Sequence, residues 1–259
     1  MRRSLTLAAV VLGLVLQAET MLASAFRVTP VQVHLTGKSS TLLTLVNESG
    51  EALRFQVTAF AWTQSPAGEV QLAPTEDITF FPALLTLGPG KEQKVRVGSN
   101  TVAVDVEKTY RIFFEELPPA ERPDVKQTQV RILTKMGVPI FVQPPSSAPQ
   151  GSVTDLKLNG SDLSFRVANN GNAHFSVQKV HVTLSDDSGK KLMERDLDGW
   201  YVLAGGYREY HTEVPEAVCH AATNMSVDAS TDIIAKGAST ATIASAQQRF
   251  AAGSACRAK

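Results

Sequence analysis

The chain is short of the residues that most chemistry needs. It has two cysteines, Cys219 and Cys256, too few for a disulfide-stapled scaffold or a thiolate metal cage. Its five histidines, His34, His174, His181, His211 and His220, are scattered, and no pair has metal-ligand spacing. There is no G-x-S-x-G elbow, no phosphate-cradling glycine loop and no C-x-x-C. Glu115 and Glu116 are neighbours in an extended run, so they point to opposite faces and cannot share a proton. Charge of one sign is not in excess either: 25 basic residues balance 25 acidic ones, and no global field favours nucleic acid. Aromatics make up 7% of the chain, too few to suggest a ring-paved sugar or peptide surface. These absences predict no catalytic residues, no metal, no cofactor and no nucleic-acid partner.

Long apolar runs are absent after the N-terminus. Leu5 to Leu16 is one, preceded by Arg2 and Arg3 and followed by Ala23-Ser24-Ala25. That is a secretory signal with cleavage after Ala25, and the run is too short to span a bilayer comfortably. No later stretch approaches 18 apolar residues, so the mature chain of about 234 residues is expected to be exported, with no membrane span. Export also permits a Cys219–Cys256 bridge near the C-terminus, with two free thiols as the alternative.

What remains reads as β throughout. Val31, Val33 and Leu35 alternate after Pro30, which lacks a ladder donor and predicts an edge strand or a strand that changes partner. Strands follow over 40–47, 53–64, 78–87, 92–97 and 110–117, punctuated by Asn47-Glu48-Ser49-Gly50, Ser65-Pro66-Ala67-Gly68 and Gly88-Pro89-Gly90-Lys91. Trp62 is expected to pack rather than to bind. The longest extended run is Thr128 to Val142. Val130, Ile132, Thr134, Met136, Val138, Ile140 and Val142 share one face, and Arg131, Leu133, Lys135, Gly137, Pro139 and Phe141 share the other. Fifteen extended residues reach about 50 Å, well beyond an ordinary strand. One reading pairs the whole run inside its own sandwich. The other lets part complete its own domain while part offers an edge to another protein.

Pro144, Pro145 and Pro149 crowd the segment that follows, so a stiff linker is expected. Beyond it come strands over 153–158, 163–169, 175–184, 192–197, 207–214 and 226–230, with hairpin turns at Asn159-Gly160 and Asn170-Gly171-Asn172. Residues 244–250 are expected to form a terminal helix or a loose tail. The fold class is all-β, with two immunoglobulin-like β-sandwiches joined at an angle by a proline-rich linker. The expected divisions are 1–25 signal, 26–143 first sandwich, 144–150 linker, 151–245 second sandwich and 246–259 tail.

Three segments carry a family resemblance. Tyr110-Arg111-Ile112-Phe113-Phe114-Glu115-Glu116-Leu117-Pro118-Pro119 is similar to the signature that precedes the last strand of domain one in the PapD-like periplasmic chaperones of the chaperone–usher pilus pathway. Leu87-Gly88-Pro89-Gly90-Lys91 with Val95-Arg96-Val97 resembles a second segment of that family, and Asn169-Asn170-Gly171-Asn172 a turn of its second domain. The resemblance implies a periplasmic chaperone without enzymatic activity. It would bind a pilus subunit (pilin) by donor-strand complementation and deliver it to an outer-membrane usher. The donor residues it implies are Val130, Ile132, Thr134 and Met136. Typical members anchor the subunit's C-terminal carboxylate with an arginine on the first strand and a lysine on the last, where this chain has Pro30 and Pro139. Val138-Pro139-Ile140-Phe141 is similar instead to the archaic branch. Arg27, Lys135 or Arg131 could then replace the missing clamp. Gln143 stands where typical members have an arginine near the domain junction, which leaves their inter-domain ion pair without a counterpart. The competing reading is a secreted structural or adhesive sandwich protein, itself a fibre component.

Overall fold

The computed structural model describes residues 26–119, 132–232 and 241–249. The expected signal, residues 1–25, lies outside them. The first sandwich is built from ten strands in two sheets. One sheet contains β1 (Phe26–Thr29), β3 (Ser40–Asn47), β8 (Glu92–Ser99) and β6 (Ile78–Phe81), in that spatial order. The other runs β2 (Val33–Thr36), β10 (Lys135–Gln143), β9 (Lys108–Leu117), β4 (Leu53–Gln64) and β5 (Val70–Pro74), with β7 (Leu84–Leu87) also on β4. Alternate residues of both sheets meet in one core. Val28, Leu43, Leu45, Phe55, Val95, Val97, Ile112, Phe114, Ile140 and Val142 are fully shielded there, as period-two patterning requires.

Pro30 does mark a change of partner. Val28 pairs with Leu45 in the first sheet, whereas Val33 pairs with Ile140 in the second. The run 78–87, expected as one strand, is two strands in different sheets, divided at Pro82. β5 gave no sequence signal, because all five of its residues are exposed and it carries no buried stripe.

The second sandwich has a three-stranded sheet of β11 (Gly151–Asn159), β12 (Asp162–Asn169) and β16 (Tyr207–Glu213). It faces a sheet of β14 (Lys191–Asp198), β13 (Phe175–Ser185), β17 (Asn224–Thr231) and β18 (Ala241–Arg249), with β15 (Tyr201–Val202) on β13. A short helix, α1 (Glu216–Ala221), follows Pro215, whose fixed φ suits a helix start. The expectation for 244–250 needs correction. β18 is neither helix nor tail but pairs along all of β17, so the second sandwich extends past 245 to at least Arg249. Ala, Ser, Thr and Gln give that segment no apolar alternation, and the vacant edge of β17 decides its conformation instead.

The linker is pinned as well as proline-rich. Asn172 accepts from Ala148 N through Oδ1 (2.7 Å) and donates through Nδ2 to Ser146 O (2.8 Å) and Asp105 O (2.9 Å). Gly171 is required beside it, since a Cβ there would lie 2.2 Å from Ala148 O. The two sandwiches also touch directly. Trp62, Phe141 and Leu203 form a buried cluster with Tyr201, and the Gln64 amide bonds both Tyr201 O (2.9 Å) and Leu203 N (3.2 Å). Trp62 therefore packs, as expected, but between the domains.

Candidate functional site: an open strand edge beside a half-buried arginine

β10 serves two purposes along its length. It pairs antiparallel with β9 from Lys135 to Val142, but β2 lies along its other side only from Ile140 to Gln143. Glu116 N donates to Thr134 O at 2.9 Å, which fixes the phase of the β9 ladder. Met136 and Val138 therefore turn their peptide groups to β9, and Lys135 and Gly137 turn theirs to the side β2 does not reach. Pro139 offers a carbonyl but no N–H at the point where β2 takes over.

The side chains divide the same way. Val138, Ile140 and Val142 fill the domain's own core, and Met136 is half-buried against it. Thr134 and Ile132 continue that row past the end of the core, with Ile132 72% exposed. Regular strand begins only at Lys135, so the expected fifteen-residue strand is shorter among the described residues. Its partner fails beyond Leu117, where Pro118 and Pro119 have no N–H to give. Val130 and Arg131 lie outside the described residues.

The opposite face of this sheet turns toward the second domain. Successive rows across β10, β9 and β4 are Lys135–Glu115–Gln56, Gly137–Phe113–Thr58 and Pro139–Arg111–Phe60. A Cβ at Gly137 would lie 2.7 Å from Phe113 Cε1, so glycine lets the ring lie across the strand. Phe113 meets Phe60 edge-on at 6.0 Å. The Arg111 guanidinium lies 4.3 Å over the Trp62 ring and 5.7 Å from the Trp200 ring of the second domain. Gly199 makes that approach of Trp200 possible, because its backbone lies where any Cβ would strike Val177 O.

Arg111 is half-buried, and burial lowers its pKa from the ordinary value, although an arginine keeps its charge. Among the described residues no carboxylate pairs with it. Its Nε is buried without a hydrogen bond, as are Thr58 Oγ1 and Trp62 Nε1 on the same face. Three unmet polar atoms on one face are costly unless something else completes them.

The cations expected from sequence are placed otherwise. Arg27 is on β1, in the other sheet, with Nε 2.8 Å from Glu48 Oε1. Lys135 is on the same face as Arg111 but bound to Glu115 at 2.8 Å. Pro30 is exposed at the sheet crossing, and Pro139 is buried directly opposite Arg111. Arg111 was visible in the sequence only as part of a motif. A signal was there: it shares the outward parity of Phe113 and Glu115, a cation beside an aromatic on a face that its own core does not use. Cys219 is buried in α1, while Cys256 lies outside the described residues. No group of three or more metal-ligating side chains occurs among the described residues, and no helix there is long and apolar enough to cross a membrane.

Comparison with known proteins agrees with this layout. Residues 25–148 match the family described as pili and flagellar-assembly chaperone, PapD N-terminal domain. The class 5 fimbriae chaperone CfaA is 13% identical, covering 88% of this chain and 99% of its own, with a TM-score of 0.54. The CsuC–CsuE chaperone–tip adhesion subunit pre-assembly complex, from archaic chaperone–usher Csu pili of Acinetobacter baumannii, contains a chain 14% identical. That match covers 80% of this chain and 93% of the other, with a TM-score of 0.55. The Pseudomonas aeruginosa CupB2 chaperone is 14% identical, covering 87% and 100%, with a TM-score of 0.53. No curated protein sequence matches. The fold is thus that of the two-domain pilus chaperones, and the first domain matches the PapD-like family. That family is not enzymatic.

Proposed function

We propose that this protein is a periplasmic pilus-assembly chaperone that captures pilus subunits by lending them β10 and passes them to an outer-membrane usher. The observation that carries the reading is the edge from Ile132 to Pro139, which no strand covers among the described residues, with an apolar row that outruns its own core. A sandwich lacking one strand exposes unpaired backbone and an apolar groove, and aggregates. Lys135 and Gly137 would supply ladder bonds to such a partner, and Ile132, Thr134 and Met136, with Val130 before them, would enter its groove. Each large side chain buried this way contributes about 1.5–3 kcal/mol. Thr134 is the weak member of the row.

Arg111 is the better candidate for the subunit's C-terminal carboxylate than Arg27 or Lys135. It is the cation on this face without an acidic partner among the described residues, and it stands opposite the Pro139 position. Co-expression with a pilus subunit tests the donor assignment. Ile132→Asp is expected to abolish co-purification while the chaperone keeps its circular dichroism spectrum. Wild-type yield of the complex from that variant would remove the donor row from the mechanism.

A further inference from the structure

His174 enters the first domain like a plug. It precedes β13 in the second sandwich, yet its side chain is only 6% exposed, and most of what surrounds it belongs to the first. Its ring lies flat on Phe141, centroids 3.4 Å apart and planes 10° apart. Its Nδ1 is 2.7 Å from Glu107 Oε1, and its backbone N–H donates to the same oxygen at 3.1 Å. Its Nε2 is 3.3 Å from the Gln32 amide nitrogen, and Tyr201 lies 5.7 Å away on its own domain's side. The ring of His34 on β2 is nearly parallel to it at 5.9 Å and stacks on Phe141 at 5.5 Å.

These partners accommodate either charge state of His174. A neutral ring donates from Nδ1 to Glu107 and accepts at Nε2 from Gln32. A protonated ring needs only the Gln32 amide turned over, so that its carbonyl accepts. His34 has no such provision. Its ring makes no hydrogen bond among the described residues and is open to solvent, so a proton can reach it. Burial and the neighbouring His174 hold its pKa below the ordinary 6.5, against the opposing pull of Glu107 and Asp232.

We propose that the domain junction is an acid-sensitive hinge, in which a proton on His34, beside an imidazole already tied to Glu107, unseats His174 from the first domain and lets the two sandwiches part. His174, which the second domain brings in, opposes a proton on His34, and separating the domains removes that opposition, so acid favours the open arrangement. The closed arrangement keeps its full advantage above the ordinary imidazole value of 6.5 and loses it progressively as the pH falls below that. The inference concerns the free protein and does not depend on what the open edge binds.

Small-angle scattering and tryptophan emission of the purified chain, titrated from about pH 8 to about pH 5, test it. Trp62 reports directly, because it is buried against Phe141 and Tyr201. The expected result is a reversible increase in maximum dimension and a red shift, both with midpoints below 6.5, while the far-ultraviolet spectrum is unchanged. His34→Phe keeps a ring on Phe141 and removes the proton site, so it should hold the neutral-pH arrangement throughout. His34→Gln gives a second non-titrating variant should the first misfold. His211→Gln, which alters an exposed histidine beside Asp162, should behave as wild type. The proposal is overturned if the folded His34 variants open as wild type does, or if wild-type scattering is the same at both ends of the titration.

Discussion

Replacing Arg111 with methionine should weaken binding strongly and leave stability nearly unchanged. Methionine retains an unbranched apolar stem over Trp62 and removes the charge, so the change isolates the guanidinium better than alanine would. In the free protein the loss is small. The stack on Trp62 and Trp200 is worth about 0.5–2 kcal/mol, and relieving a half-buried cation with a bare Nε returns a comparable amount. The thermal transition should therefore stay within a few degrees of wild type or rise. Binding has no such compensation. A hydrogen bond to a charged group contributes about 1.5–3 kcal/mol, and about 1.4 kcal/mol is tenfold, so affinity for a subunit ending in a free carboxylate should fall roughly 10- to 150-fold. Arg111→Lys should fall between, keeping a charge but losing the planar fork. The assay is dissociation of a chaperone–subunit complex prepared by periplasmic co-expression, beside differential scanning calorimetry of each free chaperone. A methionine variant that unfolds markedly earlier and still holds its subunit would make Arg111 a structural strut and refute the reasoning.

Two further outcomes follow from the same geometry. Phe141→Ala removes a fully buried ring worth about 3–5 kcal/mol in a packed site, but Phe141 faces away from the core that Ile140 and Val142 occupy. The loss should fall on the coupling between domains, so calorimetry should separate two transitions and Trp62 emission should shift red at neutral pH; a single wild-type transition would show that the ring couples nothing. A Cys219–Cys256 bridge would close a loop of fewer than forty residues and stabilise the second sandwich by about 4 kcal/mol. The native chain should then resist alkylation until reduced, and Cys219→Ser should lower the second domain's transition alone; modification of both thiols without reductant would rule the bridge out.

What the sequence disclosed and what it hid have one physical cause. Alternation is local, so the two faces of β10 could be assigned from spacing, and the placement of Val138, Ile140 and Val142 in the core with Phe141 on the reverse follows from that. A proline's missing donor is local too, which is why Pro30 marked the passage between sheets. β5 buries none of its side chains and β18 is mainly Ala, Ser, Thr and Gln, so each is held by backbone pairing to the strand just before it, Gln64 opposite Val70 and Thr231 opposite Ala241. Contacts between distant residues leave less trace still. Arg111 gains its character from Trp200, which the second domain brings over, and from the Pro139 position, which removes any competing cation opposite it. Glu107 and His174 meet across 67 residues, and nothing in either local pattern announces a partner. The missing typical clamp was legible as an absence; its candidate replacement became visible only once strand register placed a tyrosine-following arginine of the family motif against a proline of the last strand. Among the described residues, a cation without a counter-ion stands beside an edge without a strand, an arrangement that costs the free protein stability, and such costs concentrate where a partner is meant to complete the structure.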